Sequence, residues 1–170
     1  DLIERLLVVD IAPVSYPQQA EGHLRVIAGM NALPLESIAS RSEAEKFLRD
    51  YILDEPTRKF VLTNLLRRSE GGFRWRLNLA AIEANYDALR VMPPHTGSFE
   101  KPTLFVKGAE SAYIQASHKE EILALFPDSD LKIIMGAGHW LHADKPQVFK
   151  KIAMNFDAEV ESIRKNFSIK

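Results

Sequence analysis

Apolar positions in this 170-residue chain follow two patterns, short continuous runs toward its ends and helically spaced clusters between them. Leu6-Leu7-Val8-Val9-Asp10-Ile11 is too short a run for a helix and is closed by the turn-forming Ala12-Pro13, so it predicts a strand buried on both faces of a parallel sheet. A second run spans Pro102 to Gly108 and a third Leu131 to Gly136. Between these two, Ser117 reads as a helix cap with Glu120 as its capping-box partner, and Ile122, Leu123 and Phe126 form the apolar stripe of a helix. Strand, helix, strand is a βαβ unit, which predicts an α/β fold with a parallel sheet and helices on its faces. Pro146 begins another helix with Val148, Ile152 and Phe156 facing inward, continued by a charged, solvated helical tail from Asp157 to Lys170.

The segment 15–95 changes character. Leu24-Ile27-Ala28, Ala44-Phe47-Leu48-Tyr51, Phe60-Leu62-Leu65 and Ile82-Tyr86-Leu89 predict short helices, punctuated by Pro34, Pro56, Gly71-Gly72 and Pro93-Pro94. After Gly72 the period drops to two, with Phe73, Trp75, Leu77 and Leu79 on one face and Arg74, Arg76 and Asn78 on the other, so 65–78 predicts a small β-hairpin set among helices. Three parts follow: a core strand and turn at 1–14, a helical insertion at 15–95, and a strand-helix-strand-helix ending at 96–170.

Composition narrows the function classes. Basic and acidic residues number 22 and 23, so no long-range field recruits nucleic acid or an anionic membrane, and the expected partner is a small, mostly apolar molecule. The absence of cysteine removes disulfides, thiolate catalysis and zinc-thiolate sites, and suits a reducing compartment such as the cytoplasm. No apolar run approaches the roughly 20 residues of a membrane span, and charge alternates with apolar residues at the start, unlike a signal peptide.

The stretch with the most chemistry is Gly136-Ala137-Gly138-His139-Trp140. It presents a histidine just past a strand, where small residues let a loop turn sharply and aim an imidazole, so His139 is the candidate general base. His142 lies three residues on, but no convincing third ligand accompanies the two, and a metal site is not expected. His23, His95 and His118 sit in polar or turn surroundings and read as solvated. No Gly-x-Ser-x-Gly elbow occurs anywhere in the chain. Asp10 ends an otherwise apolar strand, where a carboxylate is costly to bury unless paired; it is either a structural turn residue or a functional acid.

Several segments together resemble the YbfF-type esterases of the α/β-hydrolase superfamily and their abhydrolase-domain relatives. They are Val8 to Val14, Leu62-Thr63-Asn64-Leu65, Phe73 to Leu79, Pro102 to Phe105, and Gly136 to Pro146. The resemblance implies the C-terminal part of an α/β-hydrolase sheet with an inserted helical cap. It also implies that the oxyanion loop and the serine nucleophile lie upstream of Asp1. Many α/β-hydrolases carry the acid after the strand that matches Thr103 to Lys107, but here that stretch is Gly108-Ala109-Glu110-Ser111, with Ser111 where the acid usually stands. The resembling esterases place an aspartate at the end of the preceding strand, which implies Asp10 as the acid orienting His139, with Glu110 in reserve.

The implied activity is hydrolysis of a carboxylic ester or acyl thioester without metal or organic cofactor. Substrate-lining candidates are Ile27, Met30, Phe47 and Trp140, while Phe60, Leu62, Phe73, Trp75 and Tyr86 are expected to pack the cap onto the core. Arg74 and Arg76 form a solvated face. Two other readings stay open: a noncatalytic interaction module of hydrolase fold, and a different chemistry on the same fold, such as a dehalogenase or C–C hydrolase. The 170 residues alone, lacking an elbow and with the strand at Leu6 opening onto an unpaired edge, are expected to fold only beside a missing N-terminal half and to turn over no ester.

Overall fold

The computed structural model describes residues 2–16 and 20–167. In chain order the elements are β1 (Leu6–Val9), α1 (Ala20–Ala32), α2 (Arg41–Leu48), α3 (Glu55–Leu62), β2 (Leu65–Arg67), β3 (Phe73–Trp75), α4 (Leu79–Ala84) and α5 (Tyr86–Leu89). They continue with β4 (Thr103–Gly108), a 3₁₀ turn (Ala116–His118), α6 (Lys119–Leu125), β5 (Ser129–Ile134), α7 (Leu141–Asp144) and α8 (Pro146–Phe167). Two compact units form, one from Asp1–Val14 with Met92–Lys170 and the other from Ser15–Val91.

In the first unit the strands run in the order β1-β4-β5, both pairings parallel. Central β4 is buried because alternate side chains serve opposite faces. Leu104 and Val106 join Ile134, Ala137 and Leu141 against Phe149, Ile152 and Phe156 of α8. Phe105 points the other way, joining Ala12 and Ile114 against Ile122 and Phe126. The parallel sheet with helices on its faces is the architecture the apolar runs predict.

Details differ from the sequence pattern for local reasons. β5 spans 129–134 rather than 131–136: its register starts at Thr103 opposite Ser129, and Gly136, at φ +65°, turns the chain away. The polar Ser129 and Asp130 hide that start in the sequence. The capping box preceding α6 is made by Gln115 and His118, not Ser117 and Glu120, because a 3₁₀ turn precedes the helix. Leu123 is half exposed, off the stripe formed by Ile122 and Phe126. In α8 the inward positions are Phe149, Ile152 and Phe156, spaced three and four apart, and Val148 lies exposed beside them. The charged tail is tied back at its start, since Arg5 pairs with Asp157 at 2.6 Å and Glu161 at 3.4 Å. The end of that tail, 168–170, lies outside the described residues.

The second unit has its own core, in which Ile27, Met30, Leu33, Leu48, Val61, Leu62, Leu65 and Phe73 are buried together. Trp75 and Tyr86 pack against it, and the Trp75 indole N–H donates to the Met30 carbonyl at 2.9 Å. Phe60, expected to pack, is exposed, because α3 turns Arg58, Val61 and Leu62 inward. The hairpin is β2 against β3, with Leu65 opposite Trp75 and Arg67 opposite Phe73. Its period of two stops at Trp75: Leu77 is exposed and Leu79 opens α4. Among the described residues no helix is long and apolar enough to cross a membrane.

Asp54 caps α3, its carboxylate accepting from the Thr57 N–H at 2.8 Å and the Thr57 hydroxyl at 2.6 Å. These bonds, the hydroxyl first, hold the Asp54 carboxyl below its ordinary range. A folded-state value below the unfolded one means the cap's contribution is present above the usual carboxylate range and fades as pH falls through the folded value. Asp54→Ala is expected to lower stability by about 1 kcal/mol at neutral pH, and the gap should close in acid. Urea unfolding of the complete protein at both pH values checks this, and equal midpoints at neutral pH would contradict it.

Candidate active site

Three parallel strands bring three connections to the same end of the sheet. After Val9 the backbone N–H of Asp10 still bonds the Val106 carbonyl at 2.8 Å, but Asp10 itself takes a left-handed φ of 50°. A non-glycine residue held there carries local strain, a condition that gathers at functional positions. The turn sends the Asp10 side chain into full burial.

Burial of a carboxylate is costly unless its oxygens are satisfied, and here each has a partner. Oδ1 accepts from the Gly108 N–H at 3.1 Å. Oδ2 accepts from the Ser111 hydroxyl and lies 2.8 Å from His139 Nδ1. An ionised carboxylate only accepts, so Nδ1 carries the proton, and in the neutral imidazole Nε2 is left as the acceptor. That is the tautomer a general base needs.

Close backbone approach sets the histidine loop. Gly108 sits so near the loop after β5 that a Cβ on it would lie 2.1 Å from the Gly138 carbonyl oxygen and 2.4 Å from that of Ala137. The same approach lets the Glu110 N–H donate to Ala137 O at 3.0 Å, following Ala109 N–H to Ile134 O at 2.9 Å. On the far side of the loop the Gly138 N–H donates to the Asp144 carboxylate at 2.8 Å. The Tyr113 ring lies over the imidazole of His139, with centroids 4.0 Å apart and planes 23° from parallel.

Of the residues singled out by sequence, Asp10 and His139 meet directly. Glu110 does not join them: it is exposed and contributes its backbone N–H to the loop, and its carboxylate makes no hydrogen bond among the described residues. Ile27 and Met30 are consumed by the core of the helical unit, 6% and 4% exposed, so their side chains have little surface to offer a ligand. Phe47 is partly buried against that core and stacks on Tyr51. Trp140 is half-buried at the start of α7. Sequence reading missed what Ser111 bonds to and that Tyr113 takes part at all. The position of Ser111, at the usual place of the acid, was the one available signal. His23 pairs with the Tyr86 hydroxyl at 2.7 Å, and His142 lies edge-on to Phe149. Among the described residues no group of three or more acidic or histidine side chains gathers as a metal site.

No protein-family model matches the chain. The sn-1-specific diacylglycerol lipase ABHD11 of Mus musculus is 38% identical to it over 161 residues, which are 92% of this chain and 52% of that protein. Esterase YbfF of Escherichia coli is 32% identical over 152 residues, 86% of this chain and 54% of that one. The solved structure of a marine microorganism esterase superposes with a TM-score of 0.88 at 34% identity, covering 92% of this chain and 61% of its own. The chain belongs to the α/β-hydrolase superfamily. The resemblance to YbfF-type esterases and abhydrolase-domain proteins drawn from the sequence segments is borne out, as is the partial α/β-hydrolase fold. The chain spans about half the length of the curated relatives it matches. Within this α/β-hydrolase sheet the assembled side chains stand at the carboxyl ends of the strands, where open α/β sheets bind their ligands.

Proposed function

We propose that the chain supplies the base and the orienting acid of a serine-type hydrolase acting on carboxylic esters or acyl thioesters. The observation that carries this reading is the 2.8 Å contact of His139 Nδ1 with fully buried Asp10, which leaves Nε2 to accept a proton. Asp10 fixes the tautomer and stabilises the imidazolium that forms, while Glu110 has no part. The nucleophilic hydroxyl comes from the complete protein outside these 170 residues, since none of them forms a Gly-x-Ser-x-Gly elbow. Ser111 is not that nucleophile, because its proton is committed to Asp10 in a buried position.

In the first half-reaction the serine O–H proton passes to His139 Nε2 as the serine oxygen attacks the acyl carbon. The same proton then goes to the departing alkoxide or thiolate, and the acyl group stays on serine. Water, deprotonated by His139, releases the acid and restores the hydroxyl. The names of the relatives, a diacylglycerol lipase and esterases, support acyl esters as substrates. No metal or organic cofactor enters this reading, and a sequence without cysteine suits a cytoplasmic setting.

Treatment of the complete protein with a fluorophosphonate, followed by peptide mass spectrometry, tests the assignment. The label is expected on a serine outside these 170 residues, and His139→Ala should abolish labelling. A label on Ser111, or none on the wild type, would overturn the proposal.

A further inference from the structure

A single hydrogen bond does not hold an imidazole in one plane. The bond from Nδ1 to Asp10 fixes one ring atom, and the ring can still pivot about that contact, the more so because the His139 side chain is 46% exposed. The aromatic face that meets this freedom belongs to Tyr113, stacked at 4.0 Å and 23°.

The loop that carries Tyr113 is itself well anchored. Its backbone N–H donates to the Ser111 oxygen at 3.2 Å, and the Ser111 hydroxyl donates to the same Asp10 oxygen that holds His139. The Ser111 N–H returns to Gly108 O at 3.1 Å, Gln115 Nε2 reaches Ala112 O at 3.0 Å, and Lys107 Nζ binds Ile114 O at 2.6 Å. Ser111 therefore touches the acid through its hydroxyl, and Tyr113, two residues on, touches the base through its ring.

We infer that Tyr113 is a positioning residue for His139, its ring holding the imidazole in the plane that aims Nε2 at the reacting hydroxyl. This rests on the reading of His139 as the base. The ring contributes a flat face, which also attracts the positive charge the imidazole acquires on taking a proton. The role belongs to the face of the ring, which phenylalanine keeps.

The test uses the complete protein, with p-nitrophenyl butyrate hydrolysis and proton NMR of the His139 ring C–H signals, identified by their loss in His139→Ala. Tyr113→Leu is expected to lower kcat roughly tenfold through a misaimed base, with KM within about twofold. Tyr113→Phe should restore kcat. The His139 ring signals should move downfield in the leucine variant, as the ring current is lost, and stay in place in the phenylalanine variant. Tyr113→Met carries the same expectation and takes over where the leucine variant lacks a native unfolding transition. Unchanged kcat without the ring, failure of phenylalanine to rescue, or immobile His139 signals would each overturn the inference. If instead the wild type is inactive or His139→Ala is fully active, the base assignment fails, and the NMR shift still decides whether the stack exists.

Discussion

Gly108→Ala should unfold the protein at a lower temperature and cripple whatever activity survives. The added Cβ meets two backbone carbonyl oxygens, those of Gly138 at 2.1 Å and Ala137 at 2.4 Å, and backbone cannot rotate aside as a flexible side chain would. Either β4 or the histidine loop must shift by on the order of 1 Å, and overpacking of this kind costs about 1–3 kcal/mol or more. The shift strikes the bonds that seat the loop, Glu110 N–H to Ala137 O and Gly108 N–H to Asp10, so it separates base from acid. Misplacement on that scale lowers turnover by roughly 100-fold.

Gly22→Ala is the matched control. Gly22 lies in α1 with nothing within 4 Å of a built Cβ, so the same methyl should stabilise by about 0.5–1 kcal/mol through helix propensity. Thermal unfolding and ester hydrolysis of both variants of the complete protein check the pair. A Gly108→Ala protein with wild-type midpoint and turnover would contradict the description of the loop.

What the sequence made legible was whatever a local period encodes. Apolar runs marked β1 and β4, Pro146 marked the start of α8, and the alternation after Gly72 marked the hairpin. His139 stood out because small residues after a strand announce a tight loop. Long-range geometry left no such trace. Gly108 is required to be glycine by the carbonyls of Ala137 and Gly138, far along the chain, and Ser111 finds its partner 101 residues back. Ile27 and Met30 read as candidate pocket residues because helical spacing shows which face is apolar, not what that face meets; α1 spends them on its own unit's core. The start of β5 is hidden for the complementary reason: an edge strand exposed along most of its length carries polar Ser129, Asp130 and Lys132, so its apolar run starts late.

The largest expected effect on activity comes from Asp10. Replacing its carboxylate by an amide keeps the shape and one acceptor oxygen, so the bonds from Gly108 and Ser111 have a partially matching partner. It removes the charge that favours the imidazolium, and it allows an N–H to face Nδ1, which favours the tautomer with the proton on the wrong nitrogen. A change of this type in a serine, histidine and aspartate system lowers kcat by about 10⁴. Glu110, exposed and with a carboxylate that accepts no hydrogen bond among the described residues, should tolerate the same substitution.

The comparison of kcat/KM for Asp10→Asn and Glu110→Gln in the complete protein is therefore the most direct test. A loss of about 10³–10⁴ for Asp10→Asn with near-unchanged Glu110→Gln is the predicted result, and near-full activity of Asp10→Asn beside an inactive Glu110→Gln would contradict the account.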